Sequence, residues 1–339
     1  MVKLRISYIF IILSFFHILF VGCRKEEFDY AINATVEVVL SPQGVGDQGY
    51  NDMILRGFQK ASAKYGFTLA VHIPEAKEQG IDIYEEWLAS TLSDDCGRSL
   101  FVFSGSEYEY LLDELDLPDD TRKDVVMFET ERQRDSIYTF HVGCYAASYL
   151  AGATSVLNDE GVEQNALVIA ANPHDRHLKR AVDGYRDGYM AARGNRCDVH
   201  YLSEDTDGGY QMQDEAYQFC MENMNKYEFF FSAAGASNKG LYRFSRENMM
   251  FAVGMDDDMS LFSSMISMSV VKHMDKAVID VIGSLLNNVK IPYHQDFTYL
   301  SGYEELVYKS AITPELFPDI SDFRKRIVEI EQRYEESYK

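Results

Sequence analysis

The sequence predicts an α/β fold with two doubly wound, Rossmann-like lobes and a hinge between them. Short apolar runs rich in β-branched and aromatic residues alternate with helical patterns from Thr35 onward, as they do around parallel sheets that are buried on both faces. The alternation occurs in two successive sets, which indicates two such sheets. The roughly 310 residues that follow the first 22 also exceed one compact core.

The first set of elements runs from residue 35 to residue 157. Its predicted strands are short buried-type runs: Thr35–Leu40, Thr68–His72, Ser99–Phe103, Val125–Phe128 and Tyr138–Val142. Between and after them, apolar residues recur at the spacing of one helical face. These helical patterns cover a segment that ends near Tyr65, and then Tyr84–Leu92, Glu107–Leu115 and Ala146–Leu157.

The second set repeats this rhythm. Its predicted strands are Ala166–Ala170, Asp198–Leu202, Phe229–Ala233, Met250–Val253 and Met268–Val271, and its helices are Ala181–Ala192 and Met212–Met224. Ligands of doubly wound sheets bind outside the carboxyl ends of the strands. We therefore expect the site in the loops that follow these strands.

The first 22 residues have the pattern of a secretory leader. Lys3 and Arg5 form a basic region, Ile6–Val21 is almost wholly apolar, and a small residue stands directly before Cys23. The stretch Phe20–Cys23 resembles the lipobox of bacterial lipoproteins, which implies cleavage before Cys23 and a diacylglycerol on its sulfur. The alternative is an uncleaved membrane anchor. Either way, the rest of the chain is expected outside the cytoplasm.

Residues 23–33 have no apolar periodicity and are interpreted as a charged tether. The stretch Arg24–Asp29 resembles the surface-export signal of Bacteroidetes lipoproteins. These features predict a lipid-anchored protein of the bacterial cell envelope, periplasmic or surface-exposed, that meets the membrane only through its anchor.

Charge and cysteine content exclude several kinds of partner. The formal net charge is −22, and such a surface repels nucleic acid and anionic lipid. The acids are dispersed among 46% hydrophobic residues, so the chain folds and is not an acidic tail. The cysteines after the leader have no metal-ligand spacing; they are Cys96, Cys144, Cys197 and Cys220. We expect no metal site and four buried thiols, with a Cys197–Cys220 disulfide as the alternative.

A glycine-rich loop, Ser41–Asp52, joins the first predicted strand to the first helix. Its glycines spell G-x-G-x-x-G, and Glu75 stands 26 residues after Gly49, as in dinucleotide-binding proteins. Asp47 and Asp52 argue against that interpretation, because pyrophosphate is an anion. A neutral, hydroxyl-rich ligand suits the loop better, and an acid-capped turn without a ligand is the alternative.

Several motifs occur in one order along the chain: Gly46–Asp52, Tyr149–Gly152, Ala233–Gly240, Gly254–Asp258 and Ser269–Lys272. They resemble the G-D-x-S-F-N-D, Y-L-A-G, A-A-G-x-T-G-x-G, G-V-D-x-D and S-x-x-K motifs of one family. That family is the basic-membrane-protein type of ABC-transporter lipoproteins, the nucleoside-binding proteins. Order and spacing agree over residues 35 to 305.

The resemblance implies a type I periplasmic-binding fold, in which two lobes joined by three crossovers hold a nucleoside between them. On this basis we divide the chain into a leader (1–22), a tether (23–33), a first lobe (34–139 plus 272–297) and a second lobe (140–271 plus 298–339).

The resemblance also implies roles for individual residues. Tyr50 takes the place of an aromatic residue that stacks on the base, and Asp47 and Asn51 would reach the base or hold the loop. Asp256 and Lys272 would hydrogen-bond the ribose hydroxyls. This fits physically, since vicinal hydroxyls suit a carboxylate acceptor and an ammonium donor, and a base suits an aromatic face.

The remaining candidate ligand-binding residues are Ser104, Glu129, Gly235 and Gly254. Gly254 would let the backbone approach the ligand. Glu129 stands where an aspartate facing the base is expected, and it departs from that pattern by one methylene. Tyr50 in place of phenylalanine and Met259 in place of a polar residue are further departures, and they bear on the identity of the ligand more than on the fold.

Structural interpretations stand beside these roles. Asp256–Asp258 could be a solvated acidic turn or a weak calcium site, Lys272 a surface lysine, and Glu129 an acidic cap. His174 and His177 are interpreted as loop histidines, because no third metal ligand follows them.

We expect a solute receptor that closes around a nucleoside-like ligand and delivers it to an ABC permease. A ligand-binding sensor lipoprotein without a transport role is one alternative, and a secreted hydrolase is another. The chain contains no G-x-S-x-G, H-E-x-x-H or G-K-[ST] motif. Neither catalysis nor a cofactor is therefore expected.

Overall fold

A computed structural model of the protein describes residues 33–156, 164–309 and 319–338. The predicted leader, Cys23 and most of the tether lie outside these ranges, as does Leu157, the predicted end of one helix. Across the described ranges, no helix is both long enough and apolar enough to cross a membrane.

The described strands form two six-stranded sheets. They are β1 (Ala34–Val39), β2 (Thr68–His72), β3 (Arg98–Phe103), β4 (Lys123–Phe128), β5 (Ile137–Val142), β6 (Asn165–Ala170), β7 (Arg196–Tyr201), β8 (Phe229–Ala233), β9 (Phe251–Asp256), β10 (Ile266–Lys272), β11 (His294–Phe297) and β12 (Glu304–Tyr308). The first sheet has the order β11-β5-β4-β3-β1-β2, and the second has the order β12-β10-β9-β8-β6-β7. Neighbouring strands run parallel except β10 and β12, which pair antiparallel at one edge.

Helices cover both faces of each sheet. They are α1 (Tyr50–Tyr65), α2 (Lys77–Ala89), α3 (Tyr145–Thr154), α4 (Arg176–Ala191), α5 (Gln213–Asn223), α6 (Asn238–Asn248), α7 (Met274–Leu286) and α8 (Ser321–Tyr338). In the first lobe, defined here by the first sheet, α1 and α7 pack on one face and α2 on the other. In the second lobe, α3, α4 and α8 pack on one face of the second sheet, and α5 and α6 on the other.

The chain passes between the two sheets three times in its described part: between β5 and β6, between β10 and β11, and between β11 and β12. The lobe boundaries given above, as limits of separate folding units, stay a prediction.

Some elements differ from the sequence prediction. The segment predicted as the helix Glu107–Leu115 is a 3₁₀ helix, Ser106–Asp113. Helix α2 begins at Lys77 and not near Tyr84. The prediction missed its first turns because they are polar and show little apolar periodicity. The antiparallel β12 breaks the wholly parallel pattern that the sequence predicted. The four cysteines after the leader are free, so Cys197 and Cys220 do not form the alternative disulfide. Cys197 is only partly buried, so the prediction of four buried thiols was wrong for this residue.

Candidate ligand-binding site

A cavity of about 520 Å³ lies between the carboxyl ends of strands from both lobes. This volume is within the range typical of small-molecule sites. Residues that end or follow strands line it: Ser41 after β1, Gly105 after β3, Glu129 after β4, Gly235 after β8, Asp256 at the end of β9 and Lys272 at the end of β10. The candidates that line the cavity are Asp47, Tyr50, Asn51, Glu129, Gly235, Asp256 and Lys272, whereas Ser104 and Gly254 do not.

The carboxylates of the glycine-rich loop bind the loop itself. Asp47 accepts hydrogen bonds from the amides of Gly49 at 2.9 Å and Asn51 at 2.8 Å, at the start of α1. Asp52 accepts from the amides of Gly46 at 2.6 Å and Gln48 at 2.8 Å. The start of α1 is therefore capped by the protein's own acid, which is the structural role that the sequence left open.

Tyr50 forms part of the cavity wall from the first turn of α1. Its hydroxyl donates to the carbonyl oxygen of Ser104, and the Lys272 ammonium lies 5.8 Å from its ring centroid. Burial raises the pKa of Tyr50 well above its usual value, and the charge of Glu129 adds to the effect. The phenol is therefore neutral and presents a ring to the cavity. Ser104, which is fully buried, contributes by holding that ring.

Lys272 and Glu129 form a buried ion pair. The Lys272 Nζ lies 2.6 Å from Glu129 Oε2, and each side chain is 5% exposed. Burial favours the neutral forms, but Lys272 holds the pKa of Glu129 below its usual value, and Glu129 raises the pKa of Lys272. Both groups are charged. Lys272 is thus not a surface lysine, and Glu129 pairs with a cation instead of capping a helix.

Asp256 reaches the cavity from a strained backbone position. Its φ is +74°, in the left-handed region that few non-glycine residues adopt. A Cβ at Gly49 would lie 2.9 Å from Asp256 Oδ2, so the glycine lets the two lobes approach here. Burial raises the pKa of Asp256 to about 7, although Lys272 opposes the shift.

The two following acids have other roles. Asp257 pairs with Arg56 of α1 at 2.8 Å, and Asp258 accepts from the Ser260 amide at 3.0 Å. The stretch Asp256–Asp258 is therefore not a uniformly solvated turn, because Asp256 is only 8% exposed.

The two candidate glycines differ in position. Gly235 has a φ of +56° and lines the cavity next to Tyr210. Gly254 lies within β9, where an added Cβ would meet Ser269 Oγ at 2.4 Å and Met259 Cβ at 2.7 Å. Its lack of a side chain lets the turn that contains Met259 pack against the second sheet.

Sequence reasoning missed several wall residues. Glu107 is one of them, and burial raises the pKa of its carboxyl group to about 7. Asp175 caps α4 and accepts from the Tyr210 hydroxyl at 2.6 Å. Glu107 and Asp175 follow predicted strands closely, which was an available signal in the sequence, whereas no sequence signal marked Tyr210.

The prediction that His177 is a loop histidine was wrong, because it lies in the first turn of α4.

The wall is strongly acidic. It includes nine aspartate or glutamate side chains but three lysine or arginine side chains. The acids are Asp47, Glu75, Glu78, Glu107, Glu109, Glu129, Asp175, Asp207 and Asp256, and the bases are Lys77, Arg176 and Lys272. This balance disfavours a phosphate or carboxylate ligand and favours groups that donate hydrogen bonds.

Contacts between the lobes surround the cavity. Besides the Arg56–Asp257 pair, Lys77 lies 2.9 Å from Asp207. The side-chain amide of Gln211 donates to the backbone carbonyl oxygen of Gln43 at 3.1 Å. The Arg180 guanidinium of α4 lies 2.7 Å from Glu131, just after β4. The structure therefore shows a conformation in which the lobes touch on several sides.

Comparison with known families gives one match over most of the chain. The model of a family described as ABC transporter substrate-binding protein PnrA-like matches residues 34–325. The comparison with curated protein sequences gave no match.

Solved structures share the fold at low sequence identity. A solute-binding protein of an ABC transporter system from Aeropyrum pernix K1 aligns with a TM-score of 0.70 and 16% identity, over 88% of this chain and 86% of that chain. A second such protein, from Conexibacter woesei, has a TM-score of 0.60 and 13% identity, over 90% and 97%. A carbohydrate transporter solute-binding protein from Agrobacterium radiobacter, in complex with D-arabinose, has a TM-score of 0.55 and 15% identity, over 83% and 96%. The predicted two-lobe fold class is confirmed.

Proposed function

Because the chain belongs to the PnrA-like family of ABC transporter substrate-binding proteins, we propose that it is a lipid-anchored receptor for a nucleoside-like ligand. The ligand would bind between the lobes and pass to an ABC permease. One observation carries the ligand class: the wall combines the ring of Tyr50 from the first lobe with Asp256 and Lys272 from the second.

A nucleoside offers groups that match this wall. Its vicinal hydroxyls can donate to Asp256 and accept from Lys272, and its base can stack on Tyr50. The base also carries N–H donors. In the described part of the chain, Asn51 Oδ1 is a buried acceptor without a hydrogen-bond partner, and buried acceptors are seldom left unpaired.

The acidic wall narrows the class of ligand further, to neutral nucleosides. A nucleotide would bring phosphate charge into a space lined by nine carboxylate side chains, so the neutral nucleoside should bind in preference to its monophosphate. Free sugars are the main competing ligand class, and D-arabinose is bound by one protein of similar fold. We propose no catalytic step, so the ligand should be recovered unchanged.

The test is a titration of nucleosides, nucleoside monophosphates and free sugars by calorimetry, with mass spectrometry of whatever co-purifies. Scattering would follow compaction, since contacts from both lobes favour the closed state. We expect nucleosides to bind and compact the protein. Binding and compaction by sugars alone would contradict the proposal.

Tyr50 variants test the stacking contact. Tyr50→Ala should lose roughly 1–3 kcal/mol of nucleoside affinity, the usual value of a base–aromatic stack. Tyr50→Phe keeps the ring and should bind nearly as well as wild type. Because Tyr50→Phe loses the hydrogen bond to Ser104, its free energy of unfolding should be about 0.5–1.5 kcal/mol lower than that of the wild type. If Tyr50→Ala binds nucleosides like wild type, the ring does not stack on the ligand.

The anchor is tested at Cys23, which follows the lipobox-like stretch. Stable attachment to a bilayer needs more than one acyl chain, so Cys23→Ser should leave the protein soluble or uncleaved. Detergent partitioning of both forms would show this. Equal membrane attachment by a processed Cys23→Ser chain would rule out the lipid anchor.

A further inference from the structure

We propose that Glu129, His141 and His177 form a binding site for a divalent transition-metal ion of the zinc class at the junction of the two lobes. Each residue offers one ligand atom, and these atoms lie within 4.8 Å of one another. All three residues are buried, at 4%, 4% and 7% exposure. The site extends beyond the proposed receptor function and does not depend on it.

The fold brings the three residues together from separate elements. Glu129 follows β4 and His141 lies in β5, and these strands pair in parallel with Phe128 opposite Phe140. His177 comes from the first turn of α4 in the second lobe. Its ring centroid lies 4.8 Å from that of His141, and its Nδ1 lies 3.6 Å from Glu129 Oε2.

The polar atoms of this cluster are left unsatisfied by the protein. Within the described ranges, His141 Nε2, His177 Nδ1 and Glu129 Oε1 are buried without a hydrogen-bond partner. Native proteins leave few such atoms, because each costs the desolvation of a polar group. One cation between them would satisfy all three.

A neighbouring carboxylate lies beside the other ring nitrogen of His141. Asp296 of β11 is directly opposite His141 in the first sheet, so both side chains lie on the same face of the sheet. Asp296 Oδ1 lies 3.6 Å from His141 Nδ1, which leaves Nε2 for a metal. A carboxylate on the second nitrogen is the usual support of a metal-bound histidine.

Two imidazoles and one carboxylate are a ligand set that zinc accepts, with a fourth position open. Zinc bonds of this kind would place the ligand atoms about 3.3–3.5 Å apart, so the most widely separated pair of ligand atoms must approach by up to about 1.4 Å. The Lys272 ammonium competes with a metal ion for Glu129, since it already pairs with Glu129 Oε2. Glu129 Oε1 remains for a metal. Because the ligands come from both lobes, the ion would favour the closed conformation.

The experiment uses the full-length chain in detergent, without a polyhistidine tag and after treatment with a chelator. Zn²⁺ is titrated by calorimetry, and Co²⁺ by the visible spectrum of tetrahedral cobalt. We expect one ion per chain and a tetrahedral Co²⁺ spectrum in the wild type, a result that needs no variant to fold. Zn²⁺ should also protect the protein against thermal unfolding.

Variants locate the ion. His141→Ala and His177→Ala should each lower the Zn²⁺ affinity at least about tenfold, and Asp296→Asn about 10–100-fold. His174→Ala is the matched control, because His174 lines the cavity but lies outside the cluster. Circular dichroism checks that each variant folds. Absence of stoichiometric Zn²⁺ binding in the wild type, or unchanged affinity in both histidine variants, would overturn the proposal. Nucleoside titration is a separate measurement, so failure here leaves the receptor function standing.

Discussion

Lys272→Met is expected to lower the free energy of unfolding by about 3–5 kcal/mol, the usual cost of removing one partner of a buried ion pair. The loss arises because Glu129, with a side chain only 5% exposed, would keep its charge without a cation or take up a proton. Urea denaturation in chelator-treated buffer at neutral pH measures the change. Nucleoside binding should be lost in the same variant.

Two further variants separate the pair from the lysine. Lys272→Met combined with Glu129→Gln removes both charges, so it should recover a large part of the lost stability. Lys60→Met is the matched control, because Lys60 pairs with Asp275 at 2.7 Å but is 52% exposed. It should cost at most about 1 kcal/mol. If the double variant is no more stable than Lys272→Met, the buried pair is not the source of the effect.

Asp256→Ala should weaken nucleoside binding about tenfold or more, with the fold intact. Asp256 is 8% exposed in the cavity wall, and a hydrogen bond to a charged acceptor is worth roughly 1.5–3 kcal/mol. Calorimetry with the same nucleoside measures the change. Asp258→Ala is the control two residues away, since Asp258 is exposed and accepts locally from the Ser260 amide. Equal affinity of Asp256→Ala and wild type would make Asp256 a turn residue only.

Nucleoside affinity should also depend on pH. Burial raises the pKa of Asp256 to about 7, so the free protein holds a proton there below neutral pH and loses it above. The carboxylate accepts more hydrogen bonds from hydroxyls than the protonated acid. Affinity should therefore rise between pH 6 and pH 8, and the dependence should disappear in Asp256→Asn. If it persists there, Asp256 is not the group that controls it, and Glu107, whose pKa burial also raises to about 7, is the next residue to substitute.

Local patterns in the sequence carried most of the fold prediction. Alternating apolar runs and helical periods placed ten of the strands within three residues of their observed bounds, because strand and helix periods depend on neighbouring residues. The rule that ligands bind at the carboxyl ends of such strands predicted the site in the loops that follow them, and the family resemblance of those loops directed attention to Glu129, Asp256 and Lys272. Among the strands that the structure describes, the two without a prediction are β11 and β12, which are short, poorly patterned and at sheet edges.

Tertiary structure decided how the side chains pair. Glu129 and Lys272 are 143 residues apart, and no local pattern shows that they form a buried pair. Likewise, His141 lies in β5 of the first sheet and His177 in the first turn of α4 in the other lobe, and their ring centroids lie 4.8 Å apart. Charge, burial and pKa depend on such long-range neighbours. The sequence alone therefore determined the two-lobe architecture and predicted the candidate site in the loops after the strands, and the relative placement of the lobes decided which side chains meet there.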